Sequence, residues 1–251
     1  MAKIISVHSF RGGTGKSNTS ANLAAMMAMR GLRVAVIDTD INSPGVHVLF
    51  GLEEESMELT LNDYLWGRCD IEDAAYDVTA GLGDNIPGKV LLVPSSVKVA
   101  NISRILREGY DVGLLNDGFQ RLLDMLELDV LIVDTHPGVN EETLLSIAIS
   151  DVLVIIMRPD SQDFQGTAVT VEVARRLDVP NMLLIVNKTP LIYDSDSVKA
   201  RVEATYQCNV AAVLPHSDEM MALASEGVFV TKYPEHAISK KLAAVVDSLL
   251  A

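Results

Sequence analysis

The sequence predicts an α/β protein of the layered kind, with a mostly parallel central sheet flanked by helices. Three observations predict it. Short, near-continuous runs of Val, Ile and Leu alternate with longer stretches of helical pattern. The runs lack the polar–apolar alternation of a half-exposed strand. A glycine-rich loop separates the first run from the first helix. The composition is globular, 49 % hydrophobic and 22 % charged in 251 residues. At that length one domain spanning residues 1–251 is expected, with enough buried surface to fold without staples.

Strands are expected at Lys3–His8, Arg33–Asp38, Lys89–Pro94, Val130–Asp134, Val152–Met157, Met182–Asn187 and Val210–Leu214. Continuous aliphatic runs suit strands covered on both faces, as in a parallel sheet. Helices are expected at Ser17–Arg30, Asp163–Leu177 and Ser197–Gln207. Strand–helix alternation at this spacing is the signature of α/β layering. The stretch Glu53–Ile86 is the least regular, with helices expected around Leu61–Leu65 and Ile71–Ala75. Its acidic run, Glu53–Glu55, reads as a solvated turn after Gly51. Near the end, Ile238, Leu242, Val245 and Leu249 form one apolar stripe, and only Lys240 and Lys241 are basic. That pattern predicts a helix packed on the core rather than a membrane anchor.

Composition also narrows function. Cys69 and Cys208 lie far apart and form no CxxC pair, which argues against a disulfide scaffold, a zinc ribbon or a bridging iron–sulfur site. The start, MAKIISVH, does not read as a signal peptide. The longest aliphatic run, Val152–Met157, falls well short of the roughly 20 residues of a membrane helix. A net charge of −14 disfavours whole-surface attraction to DNA or anionic lipid. Lys98, Arg104 and Arg107 share one helical stretch, but acidic residues dominate elsewhere, so a solvated face is the expectation there.

The chemistry concentrates in SFRGGTGKSN, residues 9 to 18, between the first strand and the first helix. Gly12, Gly13 and Gly15 let the backbone turn so that successive amide N–H groups, with that of Thr14, face inward around phosphate oxygens. The N-terminus of the next helix adds its positive end. Lys16 supplies a full charge toward the outer phosphates, and Ser17 a hydroxyl for Mg²⁺. The general pattern G-x-x-x-x-G-K-[ST] fails only at its first glycine, where Phe10 stands.

Two further runs end in carboxylates. VAVIDTDINSPG places Asp38 and Asp40 at a strand tip, the edge where ligands bind in open α/β sheets. LDVLIVDTHPGVNEET ends its strand in Asp134, which suits a carboxylate reaching Mg²⁺ through water. Carboxylates this close to a triphosphate require a cation. His136 follows closely; a lone histidine near a strand end is most often simply hydrogen-bonded, and its geometry decides whether it acts as a base. The run IVNKTP offers Asn187, whose amide both donates and accepts, and Lys188, whose stem can cover a ring.

The loop resembles the deviant phosphate loop xKGGxGK[ST]T of the ParA/MinD family of ATPases, and the likeness extends over nearly the whole chain. The resemblance implies the three-layer P-loop NTPase fold, with ATP and Mg²⁺ as ligands. It implies that Asp38 helps hold the Mg²⁺ shell, that Asp40 orients the attacking water, and that Asp134 supports the metal. It gives Asn187 and Lys188 to the adenine, with Pro215, His216 and Ser217 lining the base pocket, and Gly138 an N–H near the γ-phosphate. The family's first lysine, which reaches the partner's phosphates across an ATP-bound dimer, is Arg11 here. Its second Thr is Asn18, whose amide can still donate to the α-phosphate. Arg11 keeps the charge but is not equivalent to lysine.

The expected protein is thus a slow, partner-stimulated cytoplasmic ATPase that dimerises with ATP and binds a protein partner, for positioning or assembly of a complex. Two alternatives stay open: an ATP-dependent small-molecule ligase on the same scaffold, and a nucleotide-binding adaptor with little hydrolysis.

Overall fold

A computed structural model describes residues 2–251. In chain order its elements are β1 (Lys3–His8), α1 (Lys16–Met29), β2 (Arg33–Asp38), α2 (Val46–Leu49), α3 (Leu61–Leu65), β3 (Tyr76–Asp77), β4 (Lys89–Val93), α4 (Val99–Glu108), α5 (Gly113–Met125), β5 (Val130–Asp134), α6 (Glu141–Ala148), β6 (Val152–Met157), α7 (Ser161–Arg176), β7 (Asn181–Thr189), α8 (Ser195–Tyr206), β8 (Asn209–Pro215), α9 (Asp218–Ala222), α10 (Phe229–Lys232) and α11 (Ala237–Leu250).

The strands form one eight-stranded sheet in the order β3-β4-β2-β5-β1-β6-β7-β8. Every pairing is parallel except β3 on β4 at the edge. Alternate residues of the aliphatic runs feed opposite faces, as the period of two requires. Val34, Val36, Ile132 and Val154 pack with α1 and α11 on one face. Ala35, Ile37, Leu131 and Val133 pack with α3 and α5 on the other. Leu153, Ile155 and Val186 continue that second face under α7 and α8. Two covered faces make three layers, the predicted architecture.

The boundaries differ where caps decide them. α7 and α8 begin two residues before the pattern suggested, because Asp160 accepts from the amides of Gln162 and Asp163, and Asp194 from that of Ser197. In the least regular stretch α3 forms as expected. The expected helix at Ile71–Ala75 is a 3₁₀ turn over Ile71–Ala74, followed by β3, too short to leave a period. α11 buries Ile238, Leu242, Val245 and Leu249 against the core, as the stripe predicted. Among the described residues no helix is long and apolar enough to cross a membrane.

Candidate functional site

Parallel strands put all their C-terminal tips on one edge. Val7 of β1 and Asp38 of β2 both pair in register with Asp134 of β5. The end of β1, both acidic strand ends and the tip of β7 therefore converge, although their residues are far apart in sequence.

The loop between β1 and α1 bends through Gly13 and Gly15, both at positive φ (78° and 97°). A Cβ on Gly15 would also sit 2.4 Å from Asn187 Nδ2. Asn187 donates from Nδ2 to the carbonyl of Thr14 (2.8 Å), and Lys188 Nζ donates to that of Gly13 (2.8 Å). Their observed contacts brace the phosphate loop from the tip of β7.

Asp134 is the hub. Its Oδ2 accepts from Lys16 Nζ (3.0 Å) and Ser17 Oγ (2.7 Å), and its Oδ1 from Ser20 Oγ (2.7 Å). Ser20 escaped the sequence reading; it lies one helical turn beyond Lys16, and that spacing was its only signal. Asp38 uses both oxygens to hold the turn that follows it. Oδ1 accepts from the amide of Asp40, and Oδ2 from those of Gly45 and Val46.

Three carboxylates, Asp38, Asp40 and Asp134, are thus buried at one edge with the ammonium of Lys16. Burial, then the neighbouring Asp134, push the Asp38 carboxyl up to about 7. Burial likewise raises that of Asp40, against the pull of Lys16 and His136. The edge is short of positive charge. Thr14 Oγ1 and Asp40 Oδ1 are buried without a hydrogen-bond partner. Ser17 and Asp134, the hydroxyl–carboxylate pair, supply the oxygen donors that Mg²⁺ prefers when it keeps most of its waters. The residues present fit a phosphate-bound Mg²⁺.

The segment that follows β5 is tied to the loop. The Gly138 amide, expected near a γ-phosphate, donates to the carbonyl of Ser9 (3.1 Å). His136 Nε2 faces Asp40 Oδ1 at 3.7 Å. Arg11 turns the other way, to Asp163 (3.4 Å) and Asp160 (3.9 Å) at the start of α7. Phe10 packs against α7: a Cβ on Gly166 would be 2.1 Å from its ring.

Beside the loop a pocket of about 300 Å³ is lined by Gly15, Asn18, Asn187, Pro215, His216 and Met220, among others. Residues from both ends of the chain meet there, with the predicted Lys188 and Ser217 also on its wall. Ser217 Oγ accepts from the amide of Met220, capping α9.

A phosphate loop at the centre of a parallel sheet, with carboxylates at the neighbouring strand tips, defines a P-loop nucleotide-binding protein. Comparison with known proteins narrows this. The AAA domain family matches residues 2–179. An uncharacterized ATP-binding protein of Methanocaldococcus jannaschii is 30 % identical over 251 residues, covering 100 % of this chain and 88 % of that one. The cell division ATPase MinD of Pyrococcus furiosus shares the fold at a TM-score of 0.82 and 21 % identity, covering 100 % of both chains. MinD of Pyrococcus horikoshii, solved with Mg-ADP, does so at 0.81 and 19 %, covering 99 % of this chain and 96 % of that one. The chain belongs to the ParA/MinD family of P-loop ATPases.

Proposed function

We propose that this protein binds and slowly hydrolyses ATP, and uses the nucleotide to gate a face-to-face homodimer that holds a protein partner in the cytoplasm. The observation that carries the reading is the convergence of Lys16, Ser17 and Ser20 on Asp134, with the unpartnered Oδ1 of Asp40 at the same edge. The loop amides from Gly12 to Ser17 and the N-terminus of α1 would cradle the phosphates. Lys16 would reach the γ-phosphate, Asn18 the α-phosphate, and Asp40 would orient the water. The pocket with Asn187, Lys188, Pro215 and His216 would take the base. Ser17 and Asp134 would hold Mg²⁺, with Asp38 behind them. Bound there, Mg²⁺ offsets charge on the phosphate oxygens. Phosphoryl transfer asks chiefly for position and charge, which these residues supply.

The continuous sheet and the return of α11 onto α1 support one ATPase domain over residues 1–251. On the basic stretch, Arg104 is taken up by Glu108 (2.7 Å) and lies over Trp66, which supports a protein partner over DNA. One observation favours the adaptor alternative. Arg11, which the family resemblance would have act across a dimer, is held by Asp160 and Asp163 of its own chain.

Sedimentation with Mg-ATP tests the switch: the wild type should dimerise and Lys16→Ala should stay monomeric. Equal monomer in both sinks it. ATP turnover with and without a co-purified partner separates the ATPase from the adaptor. An Asp40→Ala bait with ATP should retain the partner, and a bait that captures no more than nucleotide-free wild type argues against a gated switch.

A further inference from the structure

Charge is spread unevenly along this acidic chain. From Asn85 to Arg107 there is no Asp or Glu, while Lys89, Lys98, Arg104 and Arg107 fall in that stretch. Most of it is β4 and α4. Of the large apolar residues of α4, which are Val99, Ile102, Ile105 and Leu106, only Ile105 enters the core, on the second face of the sheet. Val99 is 77 % exposed and Leu106 65 %. At about 3.6 residues per turn, Val99, Ile102 and Leu106 share one stripe along the helix, with Ile105 to one side of it. Their i, i+3, i+7 spacing is that of a face that packs on another helix.

α4 is anchored on its other sides. Arg104 pairs with Glu108 (2.7 Å) and lies over the ring of Trp66, 4.4 Å from its centre. Asn101 Nδ2 donates to Ser96 Oγ (2.9 Å), and Ser95 Oγ donates to the carbonyl of Asp38 (2.7 Å). The root of the helix is therefore bonded to an acidic strand tip of the nucleotide edge. Lys98 stands at the start of the stripe and Arg107 at its end. The ion pairs nearby belong to Arg68 and Arg104; among the described residues Lys98 and Arg107 have none. Arg107 donates to the Ser103 carbonyl of its own helix (3.2 Å).

We infer that this face of α4 docks an amphipathic helix of a protein partner, apolar along one side and acidic on its flanks. The inference rests on the reading of a partner-binding ATPase above, and names the surface and the chemistry of that partner. Such a helix takes the exposed stripe out of water and meets Lys98 and Arg107 with carboxylates. A second copy of this chain would set the same cations against each other. A nucleic-acid backbone would meet the cations and leave the stripe wet. Anionic lipid would be repelled by the rest of a surface whose net charge is −14. A partner on α4 bears on the loop between β4 and α4, and through Ser95 on the Asp38 turn.

Fluorescence anisotropy of two labelled amphipathic peptides tests this. Both carry leucine along one helical face; glutamate flanks it in one and lysine in the other. The glutamate peptide should bind the wild type more tightly than the lysine peptide, against the pull of the chain's net charge of −14. Leu106→Ser should weaken that binding by about tenfold or more, the scale of one leucine lost from an interface. The double variant Lys98→Glu/Arg107→Glu should reverse the preference. All three side chains belong to exposed residues, so the variants should melt with the wild type and dimerise with Mg-ATP as it does. No binding of the glutamate peptide, an equal or opposite preference in the wild type, or an affinity unmoved by Leu106→Ser overturns the docking face. Loss of the Mg-ATP dimer in these variants, or of binding to duplex DNA or phosphatidylserine vesicles, gives the face to another occupant and overturns it too. A wild type that binds the glutamate peptide through α4 yet stays monomeric with Mg-ATP overturns the gated-dimer reading and leaves the docking face standing.

Discussion

His8 closes β1 in full burial, and its ring has one partner where it has two nitrogens. The hydroxyl of Thr135 is committed to Val7, so His8 donates from Nδ1 and its Nε2 is left buried and unpaired. Burial, then the charge of Lys16, lower its pKa from 6.5 to about 3. An unfolded chain protonates this ring near 6.5 and the folded chain only near 3, so the unfolded state binds the extra proton between those values. Stability falls as pH drops through that window and is unaffected by this group above it. At about 1.4 kcal/mol per pH unit, the loss between pH 7 and pH 5 is on the order of 2 kcal/mol. His8→Asn keeps a donor for Thr135 and cannot charge. Urea unfolding at both pH values should show the variant losing less stability than the wild type by about that amount, and parallel losses would refute the assignment. The loop residues Gly12 to Ser17 were legible because each has a chemical duty that dictates its type. His8 was not, because a histidine inside an aliphatic run carries no mark of what it touches.

Among the elements, α7 does more than cover the sheet. Its residue Gly166 lies in a helix interior, where glycine costs about 1 kcal/mol against alanine. The ring of Phe10 occupies the space that a side chain would take. Phe10 interrupts the general phosphate-loop pattern, yet here it anchors the loop to α7. Gly166→Ala should therefore raise intrinsic helicity and still weaken nucleotide binding, as the ring and loop are pushed away. Equilibrium binding of an ATP analogue should show at least a several-fold loss, and unchanged affinity would mean that the ring relocates freely. After β5, Asn140 caps α6 by accepting from the amide of Thr143 (2.9 Å), while Thr143 Oγ1 accepts from that of Asn140. Asn140→Ala should cost about 1 kcal/mol in a urea titration. The strands were readable because double burial leaves unbroken aliphatic runs. β3 was not, since an edge strand of two residues has no period to read.

For the molecule as a whole, the net charge of −14 and the cation-poor strand edge act together. Self-repulsion across an acidic surface weakens as salt screens it, so moderate salt should raise the melting temperature. Ligand linkage adds a larger effect. Mg-ATP at about 100 times its dissociation constant should stabilise the fold by about 2.7 kcal/mol, roughly 5–10 °C for a chain this long. Thermal unfolding should show that rise in the wild type. A chelator should remove much of it, and Lys16→Ala should lack it.

The sequence alone determined the layered α/β class, the phosphate loop and the acidic strand tips, because each rests on local chemistry: hydrophobic period, glycine freedom, and residue type beside a glycine-rich turn. It could not determine contacts between residues roughly a hundred or more positions apart. That Asp134 gathers Lys16, Ser17 and Ser20, that Asn187 braces Thr14, and that His136 faces Asp40 were decided by strand order. Only placing β1 between β5 and β6, and β2 beside β5, brings those tips to one edge.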